Sequence, residues 1–224
     1  MFIETLKALA GLIVSYLLGS LPTAYLVGKS RGLDLRQHGS GNLGATNTFR
    51  VLGKNAGIFV LCIDILKGTA AVLLARKLFY EPVGGMEGSL YACLSAVCAV
   101  SGHNWTIFLG FKGGKGMATS LGAMIAFAIL VDRFGILLYW ILMTWVIVFL
   151  STGFVSLASV LCSLLVPLMG LALRLPASIE IFMTILALFS LFRHRENIKR
   201  LLAKKEHRFN TSSLFHKILR KKSV

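Results

Sequence analysis

Long uncharged, apolar runs occupy most of this chain, and short polar islands interrupt them. Uncharged stretches cover 8–28, 88–111, 116–131 and 134–173, with nearly apolar stretches over 55–75 and 175–192. A helix that crosses a bilayer takes about 20 residues, so each run predicts one crossing except 134–173, which is twice too long and must fold back. Ser151-Thr152-Gly153 is the expected break. The pattern predicts an all-α, polytopic integral membrane protein with seven transmembrane helices. The shortest run, 116–131, would reach only roughly 24 Å as a helix, short enough to be re-entrant. No repeat or Pro/Ser-rich linker divides the chain, so one membrane domain is expected over 1–206, followed by a basic cytoplasmic tail over 207–224. In that tail Leu214, Phe215, Ile218 and Leu219 alternate with Lys217, Arg220, Lys221 and Lys222. The pattern suits a basic amphipathic turn on the bilayer or a frayed end that enforces orientation. Without a basic leader and cleavage site, the amino-terminal run reads as a retained span.

Composition agrees with this picture: 56% of residues are apolar or aromatic, too many for an ordinary soluble domain. The distribution of positive charge then gives a direction. With seven crossings, 18 of the 24 Lys and Arg residues fall on one side. Short cytoplasmic loops carry such an excess, so the carboxyl terminus is expected in the cytoplasm and the amino terminus outside. The net charge of +15 is spread over membrane loops and a tail with no nucleic-acid module around it. Nucleic acid is therefore excluded as a partner, and anionic membrane lipids are the simpler one. Cys62, Cys93, Cys98 and Cys162 lie in apolar runs without metal-ligand spacing and read as buried packing residues. No metal or cofactor motif is present.

Three islands remain: 39–47, 110–116 and 194–197. They are rich in glycine, hydroxyl, amide and cationic groups and nearly lack carboxylates, so they suit an anion, above all a phosphate. In the first, Gly39, Gly41 and Gly44 let backbone approach a ligand closely, while Ser40, Asn42, Thr46 and Asn47 supply side-chain donors. Arg50 follows and can grip two oxygens. In the second, Lys112 and Lys115 flank Gly113-Gly114, without the spacing of a nucleotide-binding phosphate loop. Upstream, His103 either donates to an anion or caps a span. In the third, His194 and Asn197 fall on one helical face, where they can orient and polarise a hydroxyl. Ser156 and Ser159 share a face early in another span and add hydroxyls to the same pocket or bond their own helices. Asp64 and Lys67, three residues apart inside a span, form a structural ion pair that supports the site. No hydrolytic triad pattern occurs.

These blocks resemble the bacterial glycerol-3-phosphate acyltransferases that use acyl phosphate, the PlsY family. The resemblance rests on residues 39–47 with Arg50, Asp64-Ile65-Leu66-Lys67-Gly68, Gly102-His103 and 108–119. It continues through 155–159 and 194–201, so the blocks cover about 19–206 in the family's order. It implies a seven-span inner-membrane enzyme, its active site facing the cytoplasm, that transfers a fatty acyl group from acyl phosphate to the sn-1 hydroxyl of glycerol 3-phosphate. It further implies that the 40–47 segment and Arg50 cradle phosphate, that Lys112 or Lys115 neutralises it, and that His194 and Asn197 position glycerol 3-phosphate. Ser40 acts there as a donor to substrate. One departure is local: Lys204 stands where the family's closing motif has glycine, which puts a tight turn there in question. A rival reading, a membrane transporter of an organic phosphate, predicts a midplane site, broken helices and a repeated architecture.

Overall fold

The computed structural model describes residues 2–80 and 88–210; the apolar and basic pattern at 214–222 lies outside them. Regular structure among the described residues is helical. Helix α1 (Phe2–Ser20) continues into α2 (Thr23–Lys29) after a break at Pro22, and a short α3 (Ala45–Leu52) precedes the long α4 (Lys54–Leu78). Then follow α5 (Gly88–Asn104), α6 (Met117–Leu130), α7 (Phe134–Thr152), α8 (Val155–Ala172), α9 (Ala177–Arg193) and α10 (Arg195–Leu202).

Every predicted run coincides with a helix, though not every helix has a full crossing length. Five are long and apolar enough: Phe2–Lys29 through its break, Lys54–Leu78, Gly88–Leu109, Phe134–Thr152 and Val155–Ala172. A sixth is reached if α9 and α10, bent by 58° at their junction, count as one. Helix α6 has only 14 residues. The chain is thus an all-α, polytopic membrane protein with five to six such helices. The expected break in the 134–173 run occurs at Gly153, which ends α7 in the left-handed conformation with φ +75°. The bend between α9 and α10 falls at His194, which caps α10 and accepts Ile198 N–H on its carbonyl at 2.9 Å, so His194 and Asn197 occupy the first turn of α10 just past the corner.

Bilayer helices gain little from burying one apolar surface against another, so close backbone approach matters more. Gly19 rests on the Ala99 carbonyl and Gly102 on the Tyr16 carbonyl, which seats α1 against α5. Gly68 on Thr119 O and Gly122 on Ile65 O seat α4 against α6 in the same way. A methyl group at any of the four would overlap backbone. Between α5, α6, α7 and α9 an aromatic core forms around Phe127, whose ring lies 4.7 Å from that of Phe182 and 5.5 Å from that of Phe134. Leu6, Ile13, Ile58, Leu66, Ile147 and Leu188 point outward, as lipid-facing positions should. Cys62 does too, which corrects its expected place among buried packing residues; Cys93 and Cys162 are buried.

Past α10 the chain turns back over the helix ends. Lys204 N–H bonds Leu201 O at 3.0 Å and Lys205 N–H bonds Arg200 O at 2.8 Å, a Schellman motif with Lys204 at the left-handed position, φ +56°. The turn is therefore retained without glycine. Phe209 N–H then reaches Gly153 O at 2.9 Å, and its ring packs against those of Phe49 and Phe149, with the Arg50 guanidinium 4.8 Å above it.

Candidate active site

The loop after α5 carries the second island and is held from two sides. Gly113 N–H bonds Asn104 O at 3.2 Å and Gly114 N–H bonds His103 O at 3.0 Å. From α9, Arg193 donates Nε to Gly114 O at 2.9 Å and Nη2 to Gly113 O at 2.7 Å. Gly114 admits no side chain, because a Cβ would run into the His103 ring and lie 2.7 Å from Leu43 O. The contact with Leu43 joins the first island to the second. Lys112 is exposed at the rim. Lys115 turns inward and donates to Asn197 Oδ1, which joins the second island to the third.

Asn197 is buried and its amide orientation is fixed by chemistry, since an ammonium can only donate and a carboxylate only accept. Its Oδ1 takes Lys115, and its Nδ2 donates to Glu206 Oε1 at 2.7 Å. Glu206 also accepts from Ser156 Oγ at 3.1 Å and from Arg200 Nε at 2.7 Å. Burial raises the affinity of that carboxyl for its proton, but the bonds from Arg200, Asn197 and Ser156 outweigh burial and hold it below the usual carboxylate range. The buried His194 donates Nδ1–H to Ser190 O at 2.8 Å, because a carbonyl accepts only, and this leaves the Nε2 lone pair for a substrate proton. Ser159 lies deeper, where its Oγ accepts from Trp145 Nε1 at 3.3 Å.

The first island is a loop folded around one buried amide. Asn47 Oδ1 accepts Ser40 N–H at 2.8 Å, and its Nδ2 donates to His38 O at 3.0 Å and Leu35 O at 3.2 Å. Asn47 thus shapes the loop with all its polar groups. Gly39 and Gly41 take φ +62° and +70°, a region that glycine enters without strain. The Ser40 side chain is exposed, Asn42 and Thr46 are half-buried, and Gly44 opens α3 with no side-chain cap on its first turn. Helix α3 carries Arg50 back towards the other islands, within electrostatic reach of Glu206 and Arg200.

Lys115 reports how cationic the assembled pocket is. Burial, opposed by Glu206 and reinforced by Arg200, Arg50 and Arg193, lowers its ammonium to about 8. Three arginines and one carboxylate therefore surround Lys115. His103 stands apart from this group, buried beneath the glycine loop and facing Asp64 from α4.

The glycerol-3-phosphate acyltransferase family profile matches residues 9–204 of the chain. Glycerol-3-phosphate acyltransferase 2 of Moorella thermoacetica is 41% identical over 92% of this chain and 99% of its own. The Aquifex aeolicus glycerol-3-phosphate acyltransferase is 39% identical over 91% and 100%. The chain belongs to the glycerol-3-phosphate acyltransferase family. The acyltransferase fold agrees: the crystal structure of PlsY (YgiH), an integral membrane glycerol 3-phosphate acyltransferase in its glycerol 3-phosphate form, superposes with a TM-score of 0.82 at 37% identity, over 93% of this chain and 98% of that one.

Three residues of this candidate pocket escape pattern reading. Arg193, Arg200 and Glu206 look like topology-setting charges and a tail acid, yet they tie the second and third islands together. A lone acid in a basic run was the one available signal for Glu206.

Proposed function

We propose that this pocket transfers a fatty acyl group from acyl phosphate to the sn-1 hydroxyl of glycerol 3-phosphate, giving lysophosphatidate and inorganic phosphate. The observation that carries the reading is the gathering of Arg50, Arg193 and Arg200 around Lys115 with Glu206 as the one carboxylate among them, an excess of positive charge suited to phosphate groups. The loop of Ser40, Gly41, Asn42, Gly44 and Thr46, shaped by Asn47, cradles one phosphate with Arg50. Gly113, Gly114 and Lys115 receive a phosphate on the other side, with Lys112 at the rim. His194 Nε2 accepts a hydrogen bond from the attacking hydroxyl, and Asn197 and Ser156 align it.

Acyl phosphate is a mixed anhydride with a good leaving group, so no covalent enzyme intermediate is needed. The hydroxyl oxygen forms a bond to the acyl carbon, the carbon–oxygen bond to phosphate breaks, phosphate departs with the electron pair, and the hydroxyl proton passes by way of His194 Nε2 to the departing phosphate. The protein contributes orientation of two anionic reactants and stabilisation of charge on the carbonyl oxygen and the leaving phosphate. The enzyme is a multi-pass protein of the bacterial inner membrane. Seven crossings, with α6 and α9 completing the set, put the amino terminus outside, the pocket in the cytoplasm and residues 207–224 in a basic cytoplasmic tail. Charge asymmetry supports that arrangement.

Purified protein supplied with acyl phosphate and glycerol 3-phosphate should release phosphate and lysophosphatidate; folded protein that produces neither refutes the proposal. Asn197→Ala and Arg50→Ala should each lower turnover by about 100-fold or more while insertion into membranes is unchanged, in line with the loss of one charge-stabilising donor. Substrate flux in proteoliposomes without acyl transfer would favour the transporter instead.

A further inference from the structure

Asp64 and Lys67 lie side by side on α4 with side chains 2% and 4% exposed, and their charged atoms are 2.8 Å apart. Lys67 also donates to Leu21 O at 2.8 Å, beside the Pro22 break in the first span, where the same carbonyl accepts Thr23 N–H at 3.0 Å. Thr23 Oγ1, just past the break, donates to Asp64 Oδ1 at 3.3 Å. The same carboxylate oxygen faces His103 Nδ1 at 3.7 Å, and the other edge of that ring lies directly beneath Gly114. A continuous chain of contacts therefore runs from the proline break, through a buried ion pair and an imidazole, to the glycine loop. Two further bonds run parallel to it: Thr106 Oγ1 to Ser20 O at 2.6 Å, and Tyr16 OH to Trp105 O at 2.7 Å. Between the pair and the loop is a small cavity bounded by Thr23, Leu43, Lys67 and Gly114.

A buried ion pair is a poor way to gain stability, since apolar replacements of similar volume are often neutral. Its value here is geometric. We infer that Asp64, Lys67 and His103 are positioning residues that set the height of Gly113-Gly114, and with it the place of Lys115, from inside the membrane. The inference rests on the reading of Gly113-Gly114 as a phosphate-binding loop. Fixed donors lose less freedom on binding than mobile ones, so loosening the support weakens phosphate binding before it slows the chemical step.

The test compares four enzymes with the parent: Asp64→Asn combined with Lys67→Met, which removes both charges at similar volume; His103→Asn; these two sets of changes together; and Gly114→Ala. For the first two, KM for at least one of the two phosphate-bearing substrates should rise about tenfold, with kcat within about threefold and an unchanged thermal midpoint. Combining them should cost no more than His103→Asn alone, because both act through one loop. Unchanged KM, additive effects, or losses only in proportion to unfolded protein overturn the inference; if the paired variant fails to accumulate, His103→Asn decides by the same KM criterion. Gly114→Ala separates the two levels. If it raises KM while the positioning variants do not, the support fails and the loop reading stands; if it leaves KM unchanged for both substrates, the loop reading itself fails.

Discussion

Burial sets the behaviour of Lys115. An ammonium removed from water holds its proton less tightly, and neighbouring Arg200, Arg50 and Arg193 add to the effect, so in the free enzyme it titrates at about 8 rather than 10.5. In the proposed role it is the charged form that binds phosphate, and that form exists below this value, so affinity is lost as pH rises through it. Measured kcat/KM should be level below about pH 8 and fall towards tenfold per pH unit above it. Lys115→Arg, which stays charged, should move that fall to higher pH; an unmoved profile would remove Lys115 from phosphate binding. At this scale the donors were legible from residue type, but their assignments were not. Lys112 and Lys115 are equivalent as letters, and only the fold turns one to the rim and the other onto Asn197. Asn47 reads as a ligand donor, whereas its amide is fully engaged in folding the Ser40 loop.

Helix ends decide where the pocket's pieces meet. Helix α10 closes with Lys204 in a left-handed conformation that costs a side-chain-bearing residue about 1 kcal/mol or more relative to glycine. The motif's hydrogen bonds nevertheless hold the turn, and Glu206 follows two residues later in contact with Asn197 and Arg200. Lys204→Gly should therefore stabilise the protein by about 1 kcal/mol, raising its thermal midpoint by roughly 2–4 °C, with turnover unchanged. A lower midpoint would show that the lysine side chain contributes more than its backbone costs. The break at Gly153 could be read from run length and glycine, since 40 uncharged residues exceed one crossing. The 58° corner at His194 could not, because the residues around it carry no proline or glycine.

Across the whole molecule the polar islands, far apart in the chain, converge at one end of the bundle. Leu43 touches Gly114, Lys115 reaches Asn197, and Arg50 comes within reach of Glu206. The proposed topology puts that end in the cytoplasm. Reporters fused after residue 224, and thiol labelling of a cysteine placed at Lys112, should both report the cytoplasmic side; labelling of Lys112 from outside would reverse the orientation and separate the pocket from its soluble substrate. By itself the sequence determined the membrane class, the helical runs, the sign of the pocket's charge and the residue types able to hold phosphate. Each follows from local hydropathy and side-chain chemistry. Tertiary structure alone decided which donors face one another, that Arg193 and Glu206 join them, and that Asp64 and Lys67 sit beneath the glycine loop. Those interactions join residues as much as 156 positions apart, Arg50 and Glu206, and are created when small residues let helix backbones close together; no local pattern encodes the distance between two helices.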